Sequence, residues 1–204
     1  MLNITNEDNM LLMARYPDNY FDLAIVDPPY GMKEFGAQNG GKGTLKNRIY
    51  NNGSIDRWDI SPDKKYFKEL FRVSKNQIIW GGNYFDLPPT RCVVCWDKIQ
   101  PWENFSQIEI AWTSFGMPAQ IFKFDNRTGG KIHPTQKPIA LYKWLLNKYA
   151  KQGDKILDTH LGSGSIAIAC HDYGFELTAC ELDPEYYDKA IQRIKNHINQ
   201  QKLF

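Results

Sequence analysis

The stretch Leu23-Ala24-Ile25-Val26-Asp27-Pro28-Pro29-Tyr30 passes from four apolar residues directly into an acidic residue, two prolines and a tyrosine. The apolar run predicts a strand that is buried on both faces, as strands of a parallel sheet are. Pro28 and Pro29 cannot continue a ladder of hydrogen bonds, so the strand has to end at Asp27. We therefore expect a carboxylate, a proline carbonyl and an aromatic ring on a stiff turn at the carboxyl end of a strand, where open α/β sheets bind their ligands.

The last quarter of the chain contains a strand–turn–helix–strand–helix unit. Its predicted parts are a strand over residues 155–158, a turn over 159–165, a helix over 166–173, a strand over 175–180 and a helix from Pro184. The turn carries Gly162-Ser163-Gly164-Ser165, and the second strand is followed by Glu181 and Asp183. A glycine-rich first turn with an acidic residue after the second strand is typical of units that bind nucleoside cofactors.

Two cofactor classes fit this unit. Gly162, Gly164 and Ala167 have the spacing of a dinucleotide fingerprint, which leaves a nicotinamide cofactor open as an alternative. Asp158 favours S-adenosylmethionine instead, because a carboxylate just before the turn would repel a pyrophosphate and suits an ammonium or sulfonium group. Glu181 can accept hydrogen bonds from both hydroxyls of a ribose.

Length and composition predict one soluble domain. The chain has 204 residues, of which 42% are hydrophobic and 24% charged, and its net charge of +2 permits nucleic-acid binding without demonstrating it. The sequence shows neither a membrane-spanning run nor a signal peptide, so we expect a cytoplasmic protein with no membrane partner. Cys92 and Cys95 lie in an apolar run, which predicts buried reduced thiols rather than a metal site.

Asp27-Pro28-Pro29-Tyr30 resembles the catalytic motif of the amino-group DNA methyltransferases, which use S-adenosylmethionine. In that family, Asp at the first position points to adenine as the base. The resemblance implies that the Asp27 carboxylate and the Pro28 carbonyl accept hydrogen bonds from the exocyclic amine, which frees the lone pair of the nitrogen for attack. Pro29 stiffens the turn, and Tyr30 would stack on a base that is flipped out of the duplex.

A second motif supports the same resemblance. His133-Pro134-Thr135-Gln136-Lys137-Pro138 matches a six-residue motif of one subgroup, where it introduces a helix and contacts the methionine end of the cofactor. The cofactor-binding residues that the resemblance implies are Asp8, Asp27, His133, Thr135, Gln136, Lys137, Asp158, His160, Gly162, Ser163, Gly164, Ser165, Glu181 and Asp183. Asp8 either holds the adenine of the cofactor or caps a helix. The family usually has Asp-Pro-Phe where this chain has Asp158-Thr159-His160, a departure that predicts weaker or pH-sensitive cofactor binding.

The catalytic motif precedes the cofactor motif along the chain. This order implies a circularly permuted, Rossmann-like methyltransferase fold of the α/β class, in the arrangement that the family calls the beta group. We expect a seven-stranded mixed sheet in which the strand over 108–112 forms an antiparallel hairpin with residues 121–124. The glycine-rich, basic stretch 31–58 predicts either a mobile loop that closes over DNA phosphates or a disordered one, and 99–131 predicts a small target-recognition region.

The resemblance thus implies a single methyltransferase domain over residues 1–204 that methylates adenine in double-stranded DNA at specific sites, as the methylases of restriction–modification systems do. Because little of the chain is available for target recognition, either the sequence specificity is short or relaxed, or a homodimer or a partner subunit contributes to it. Methylation of cytosine or of RNA, and a catalytically silent nucleic-acid-binding relative, remain alternatives.

Overall fold

The computed structural model describes residues 1–31, 60–102, 106–125 and 136–200. Eight strands are present in these ranges: β1 (Leu2–Asn6), β2 (Phe21–Val26), β3 (Ser74–Trp80), β4 (Val93–Asp97), β5 (Ile108–Thr113), β6 (Gln120–Lys123), β7 (Lys155–Asp158) and β8 (Glu176–Glu181). The helices of the same ranges are α1 (Asn9–Met13), α2 (Lys64–Val73), α3 (Ile139–Tyr149), α4 (Ser165–Tyr173) and α5 (Pro184–Asn199), with a 3₁₀ turn at Gly82–Tyr84.

All eight strands join one mixed sheet in the order β1-β8-β7-β2-β3-β5-β4-β6. The first five strands of this order pair in parallel, and β4 and β6 also pair in parallel with each other. Strand β5 pairs antiparallel with both of its neighbours, so among the described strands it alone runs against the others. The sheet therefore has one common carboxyl edge, at which β2, β3, β7 and β8 all end.

Helices cover both faces of the sheet, and β2 shows why. Leu23 and Ile25 face a core that includes residues of α3, α4 and α5, whereas Ala24 and Val26 face a second core formed with α1 and α2. Successive side chains of a strand point to opposite faces, so an uninterrupted apolar run is what a strand between two helical layers requires. The α/β architecture that the sequence predicts is confirmed.

Two details of the predicted sheet are wrong. The sheet has eight strands in the described ranges rather than seven, and residues 121–124 do not form a hairpin with the strand over 108–112. Strand β6 pairs in parallel with β4, which lies between β6 and β5. The apolar side chains of β4 account for this order, because Val94 and Trp96 are buried and so demand an interior strand.

The predicted variable regions are only partly described. Of the expected loop over 31–58, only Gly31 is described, so the predicted closure over DNA lies outside the described residues. Within 99–131, strands β5 and β6 are part of the central sheet, and the predicted target-recognition region stays a prediction. No helix in the described part of the chain has both the length and the apolar character that crossing a membrane requires.

The turn after β3 supplies a test of the fold. A Cβ atom on Gly82 would lie 2.4 Å from Trp112 Cβ and 2.7 Å from the backbone nitrogen of Trp112, whereas a Cβ on Gly116 meets no atom within 4 Å. We expect Gly82→Ala to lower the free energy of unfolding by about 1–3 kcal/mol through overpacking against β5. Gly116→Ala is the matched control and should change it by less than about 0.5 kcal/mol. Urea denaturation of both variants measures the difference; equal stabilities would contradict the placement of Gly82 against β5.

Candidate active site

The two motifs at the ends of the chain meet at one edge of the sheet. Strands β2 and β7 are neighbours and pair in parallel, with Leu23 opposite Ile156 and Ala24 opposite Leu157. Asp158 is the last residue of β7, and Asp27 directly follows the last residue of β2. Adjacent strands lie about 4.8 Å apart, so the proline turn and the glycine-rich turn leave the sheet side by side.

The Asp27 carboxylate has a partner on each oxygen. The Tyr30 hydroxyl donates a hydrogen bond to Oδ1 over 2.7 Å, and the Lys137 ammonium donates to Oδ2. Burial raises the pKa of the Asp27 carboxyl, and the positive charge of Lys137 opposes that rise. Each carboxylate oxygen has two acceptor positions, so Asp27 can still accept further hydrogen bonds.

Lys137 is held by a second carboxylate that the sequence analysis missed. Its ammonium lies 3.0 Å from Glu109 Oε2 on β5, and Lys98 Nζ lies 2.7 Å from Glu109 Oε1. The sequence contains a signal for Glu109, since it is the one charged residue in the strand Ile108–Thr113. The structure places the Lys137 ammonium between Asp27 and Glu109, and the predicted contact of Lys137 with the cofactor stays a prediction.

Aromatic rings lie beside the proline turn. The rings of Tyr30 and Tyr84 are stacked, with centroids 4.9 Å apart and planes inclined by 17°. Gly81 permits this approach, because its φ is +69° and a Cβ on it would lie 2.2 Å from Tyr30 Cε1. Tyr84, whose side chain is partly exposed, is therefore the residue of this turn that reaches the motif.

Asp158 is a buried carboxylate without a cationic partner among the described residues. It is 2% exposed, and its Oδ1 accepts a hydrogen bond from the backbone nitrogen of His160 over 3.0 Å. Burial raises the pKa of Asp158 to about 8, and the nearby negative charges of Asp27 and Glu181 add to the rise. A buried carboxylate in this state gains most from a ligand that brings a positive charge.

His160 is held in place by polar neighbours. Asn9 Nδ2 lies 3.1 Å from its Nε2, and Thr159 Oγ1 lies 2.9 Å from its Nδ1. Thr159 Oγ1 is also 2.7 Å from the Tyr66 hydroxyl. Burial lowers the pKa of His160 to about 3, so the ring is neutral near physiological pH. The imidazole thus provides a fixed, uncharged plane and no source of pH sensitivity around neutrality.

The glycine-rich turn is connected to the end of β8. Glu181 accepts hydrogen bonds from the backbone nitrogen of Gly162 over 2.8 Å and from that of Asp183 over 3.0 Å. Gly162 and Gly164 have φ values of +53° and +72°, a conformation that glycine adopts without strain. A Cβ on Gly164 would also lie 2.9 Å from Ile194 Cδ1, so this position needs glycine for packing as well.

Other predicted cofactor residues have structural partners. Ser163 and Ser165 are buried, and Arg193 donates to the Ser163 carbonyl over 2.6 Å and to Ser165 Oγ over 3.0 Å. Asp8 caps α1 by accepting from the backbone nitrogens of residues 10 and 11, and Asp183 caps α5 in the same way. Gln136 is described and half-buried, while His133 and Thr135 lie outside the described residues.

Comparisons with known proteins identify relatives. A family model described as DNA methylase, of the N6/N4 type, matches residues 95–192. The type II methyltransferase M.HpaI of Haemophilus parainfluenzae is 29% identical over 86 residues, which are 40% of this chain and 27% of that protein. The chain thus spans about a quarter of M.HpaI. The type II methyltransferase M2.MboI of Moraxella bovis is 23% identical, covering 97% of this chain and 92% of that protein.

Solved structures share the fold. The crystal structure of the M1.HpyAVI–SAM complex matches with a TM-score of 0.60 at 16% identity, over 95% of this chain and 100% of that one. The cytosine-N4-specific PvuII DNA methyltransferase matches with a TM-score of 0.62 at 12% identity, over 98% and 92%. The mixed sheet with its glycine-rich carboxyl edge is therefore the fold of the S-adenosylmethionine-dependent methyltransferases. Within that class, the sequence matches bear out the predicted resemblance to the N6/N4 amino-group DNA methyltransferases, most directly over residues 95–192.

The raised pKa of Asp158 predicts a pH-dependent stability. Between the ordinary value of 3.8 and the folded value of about 8, the folded state holds a proton that the unfolded state has released, so stability falls as the pH rises. Asp158→Asn keeps an acceptor for the His160 N–H and removes the titration. We expect the stability gained by this variant to grow between about pH 5 and pH 8, by at most about 1.4 kcal/mol per pH unit.

Denaturant titrations of the wild type and of Asp158→Asn at several pH values measure this difference. All other titrating groups are shared by the two proteins, so the difference between them isolates Asp158. A gain that stays constant with pH would show that Asp158 titrates at its ordinary value in the folded protein.

Proposed function

We propose that this chain transfers a methyl group from S-adenosylmethionine to the exocyclic amino group of adenine in double-stranded DNA. The observation that carries the proposal is the juxtaposition of Asp27 and Asp158 at the ends of neighbouring parallel strands. A base amine at the first carboxylate and a cationic cofactor at the second would then be adjacent, as a direct transfer requires.

The residues of the glycine-rich edge suit this cofactor. Asp158 offers a buried carboxylate with no cationic side chain on it among the described residues, which fits an ammonium group. Glu181 has acceptor positions left for ribose hydroxyls, and the turn at Gly162 and Gly164 permits close approach of a ligand to the backbone. When bound, S-adenosylmethionine supplies an electrophilic methyl group. The M1.HpyAVI–SAM complex, which has the same fold, supports this choice.

The proline turn suits an amine as the group that is methylated. The Asp27 carboxylate and the Pro28 carbonyl would accept the two hydrogens of the amine, which turns the nitrogen lone pair towards the methyl group. The Asp27 carboxylate would stabilise the positive charge that the nitrogen acquires with the new N–C bond. S-adenosylhomocysteine would leave as the S–CH3 bond breaks, and the excess proton of the amine would pass to solvent. The Tyr30 ring, which already stacks on Tyr84, offers an aromatic surface for a flipped base.

The remaining assignments rest on the sequence. We infer that the basic residues of the stretch 31–58, outside the described residues, contact DNA phosphates. The segments that flank β5 and β6 are short for a separate target-recognition region. Either the recognition sequence is short, or a second copy of the chain or a partner subunit contributes to it.

Asp27→Asn tests the catalytic assignment. The amide keeps the size of the side chain but removes its negative charge, so we expect the rate of methyl transfer to fall by about 10²–10³-fold. The affinity for S-adenosylmethionine should change by less than about threefold, because the charge removed lies on the base side of the site. Single-turnover incorporation of labelled methyl groups into DNA measures the rate. Asp172→Asn, which alters a carboxylate between Lys143 and His197, is the control and should keep the wild-type rate.

Mass spectrometry of nucleosides from the treated DNA identifies the base. N6-methyladenine is the expected product. N4-methylcytosine would keep the amino-group reaction and overturn the choice of adenine. The absence of both marks, with wild-type protein that binds S-adenosylmethionine, would overturn the proposed activity and favour a silent relative.

Asp158→Asn tests the cofactor assignment. Loss of a buried charge pair with the ammonium of S-adenosylmethionine should weaken binding by at least about tenfold. Calorimetric titration at a pH below the pKa of the cofactor amine measures the affinity, again with Asp172→Asn as the control. Titration with a nicotinamide dinucleotide should show no binding, and tight binding of it would refute the assignment.

A further inference from the structure

Beside the catalytic motif, four side chains of alternating charge form a continuous series: Lys98, Glu109, Lys137 and Asp27. Resting on the proposed role of Asp27, we propose that Glu109 is a positioning residue for methyl transfer, which shares the Lys137 ammonium with Asp27 and thereby sets how strongly the Asp27 carboxylate accepts hydrogen bonds. Glu109 would act on Asp27 through the shared Lys137 ammonium and through its own negative charge, because the described contacts of its carboxylate are with the two lysines.

Burial makes the series interdependent. The side chain of Lys137 is 1% exposed, and those of Lys98, Asp27 and Glu109 are 14%, 17% and 20% exposed. Two ammonium and two carboxylate groups leave the series neutral overall. Burying a charged side chain is strongly unfavourable unless an opposite charge lies next to it. Each charged side chain of the series therefore depends on its neighbours. The Lys137 ammonium also lies 5.1 Å from the centre of the buried Trp80 ring, which offers no anionic alternative.

Four elements, β2, β4, β5 and α3, bring the series together. Lys98 directly follows β4 and Glu109 lies in β5, opposite Trp96 of β4. Lys137 precedes α3 and is 110 positions away from Asp27 along the chain. The antiparallel pairing of β5 with β3 and β4 puts Glu109 next to the carboxyl edge where Asp27 lies. Glu109 therefore reaches this edge because β5 runs antiparallel to the other described strands.

Sharing of the ammonium has a chemical consequence for Asp27. An ammonium that belonged to Asp27 alone would neutralise the carboxylate more completely and weaken it as an acceptor for amine hydrogens. Without any ammonium, burial would favour the protonated acid, which has lost acceptor capacity. A second carboxylate on Lys137 gives an intermediate state, in which the ammonium still favours the ionised form of Asp27 without neutralising it completely.

The groups around Asp27 raise or lower its pKa, each in a defined direction. The positive charge of Lys137 and the hydrogen bond from Tyr30 lower the pKa of Asp27, whereas burial and the negative charge of Glu109 raise it. Lys98 acts on Asp27 through Glu109. The other titrating groups whose charges interact with the Asp27 carboxylate are Asp158, Tyr66 and Tyr142.

The experiment titrates Asp27 directly, by carbon NMR of protein labelled at the aspartate carboxyl carbons, with Asp27→Asn to assign the signal. Glu109→Gln removes a negative charge and should lower the pKa of Asp27. Lys137→Met removes a positive charge and should raise it, and Lys98→Met should raise it by less. We expect shifts of about one unit or more for the first two variants. Asp172→Asn is the matched control, since its carboxylate also lies between two basic side chains, Lys143 and His197, and is 14% exposed, and it should leave the pKa of Asp27 unchanged.

Methyl transfer provides the second measurement. Glu109→Gln should lower kcat by about tenfold, with the KM for S-adenosylmethionine within about threefold, and should move the acidic limb of the kcat profile to lower pH. Glu109→Asp, which restores the charge, should recover part of the rate. A merely structural role would lower stability without moving the acidic limb.

The two measurements separate the possible failures. An unchanged Asp27 titration in folded Glu109→Gln would overturn the inference, whatever the activity. If wild-type protein transferred no methyl group, the proposed function would fail while the titration still decided whether Glu109 acts on Asp27. If Lys137→Met does not fold, the two other variants test the inference. It requires the pKa of Asp27 to fall in Glu109→Gln and to rise in Lys98→Met, and shifts in the same direction would refute it.

Discussion

The ion pairs of the buried Lys137 ammonium are the interactions on which the geometry of the site depends. They connect the segment just before α3 to the end of β2 and to the start of β5. Since neither carboxylate can be withdrawn without leaving a charge uncompensated in the interior, the three elements have to keep their relative positions. The position of the Asp27 carboxylate is therefore tied to the packing of β5 and α3 as well as to its own strand.

Burial acts differently on the ionisable groups at this edge, according to the partners that the fold supplies. Asp27 has a cation on one oxygen, whereas Asp158 has a single backbone donor and a pKa raised to about 8. His160 has polar neighbours and no charge near neutrality. Of these two carboxylates, Asp27 is compensated by Lys137 of the protein itself, whereas Asp158 would be compensated by a cationic ligand. This difference matches the proposed division into a base side and a cofactor side.

Much of the architecture was predictable because it depends on local chemistry. The apolar run of residues 23–26 specified a strand between two helical layers. Helix α5 begins at Pro184 as predicted, and α4 begins at Ser165, one residue before its predicted start. The order of β5, β4 and β6 was not predictable in this way. Neighbours along the chain usually pair, and only the burial of Val94 and Trp96 shows why β4 takes the place between the other two strands.

The sequence by itself determined where the two functional turns leave the sheet. Proline lacks an N–H and glycine tolerates positive φ, so both turns are properties of a few consecutive residues. Only the tertiary structure decided which side chains meet there. Glu109, Lys137 and Tyr84 come from separate parts of the chain, and their approach to the Asp27–Tyr30 turn depends on the antiparallel placement of β5 and on burial, which act between residues far apart in sequence.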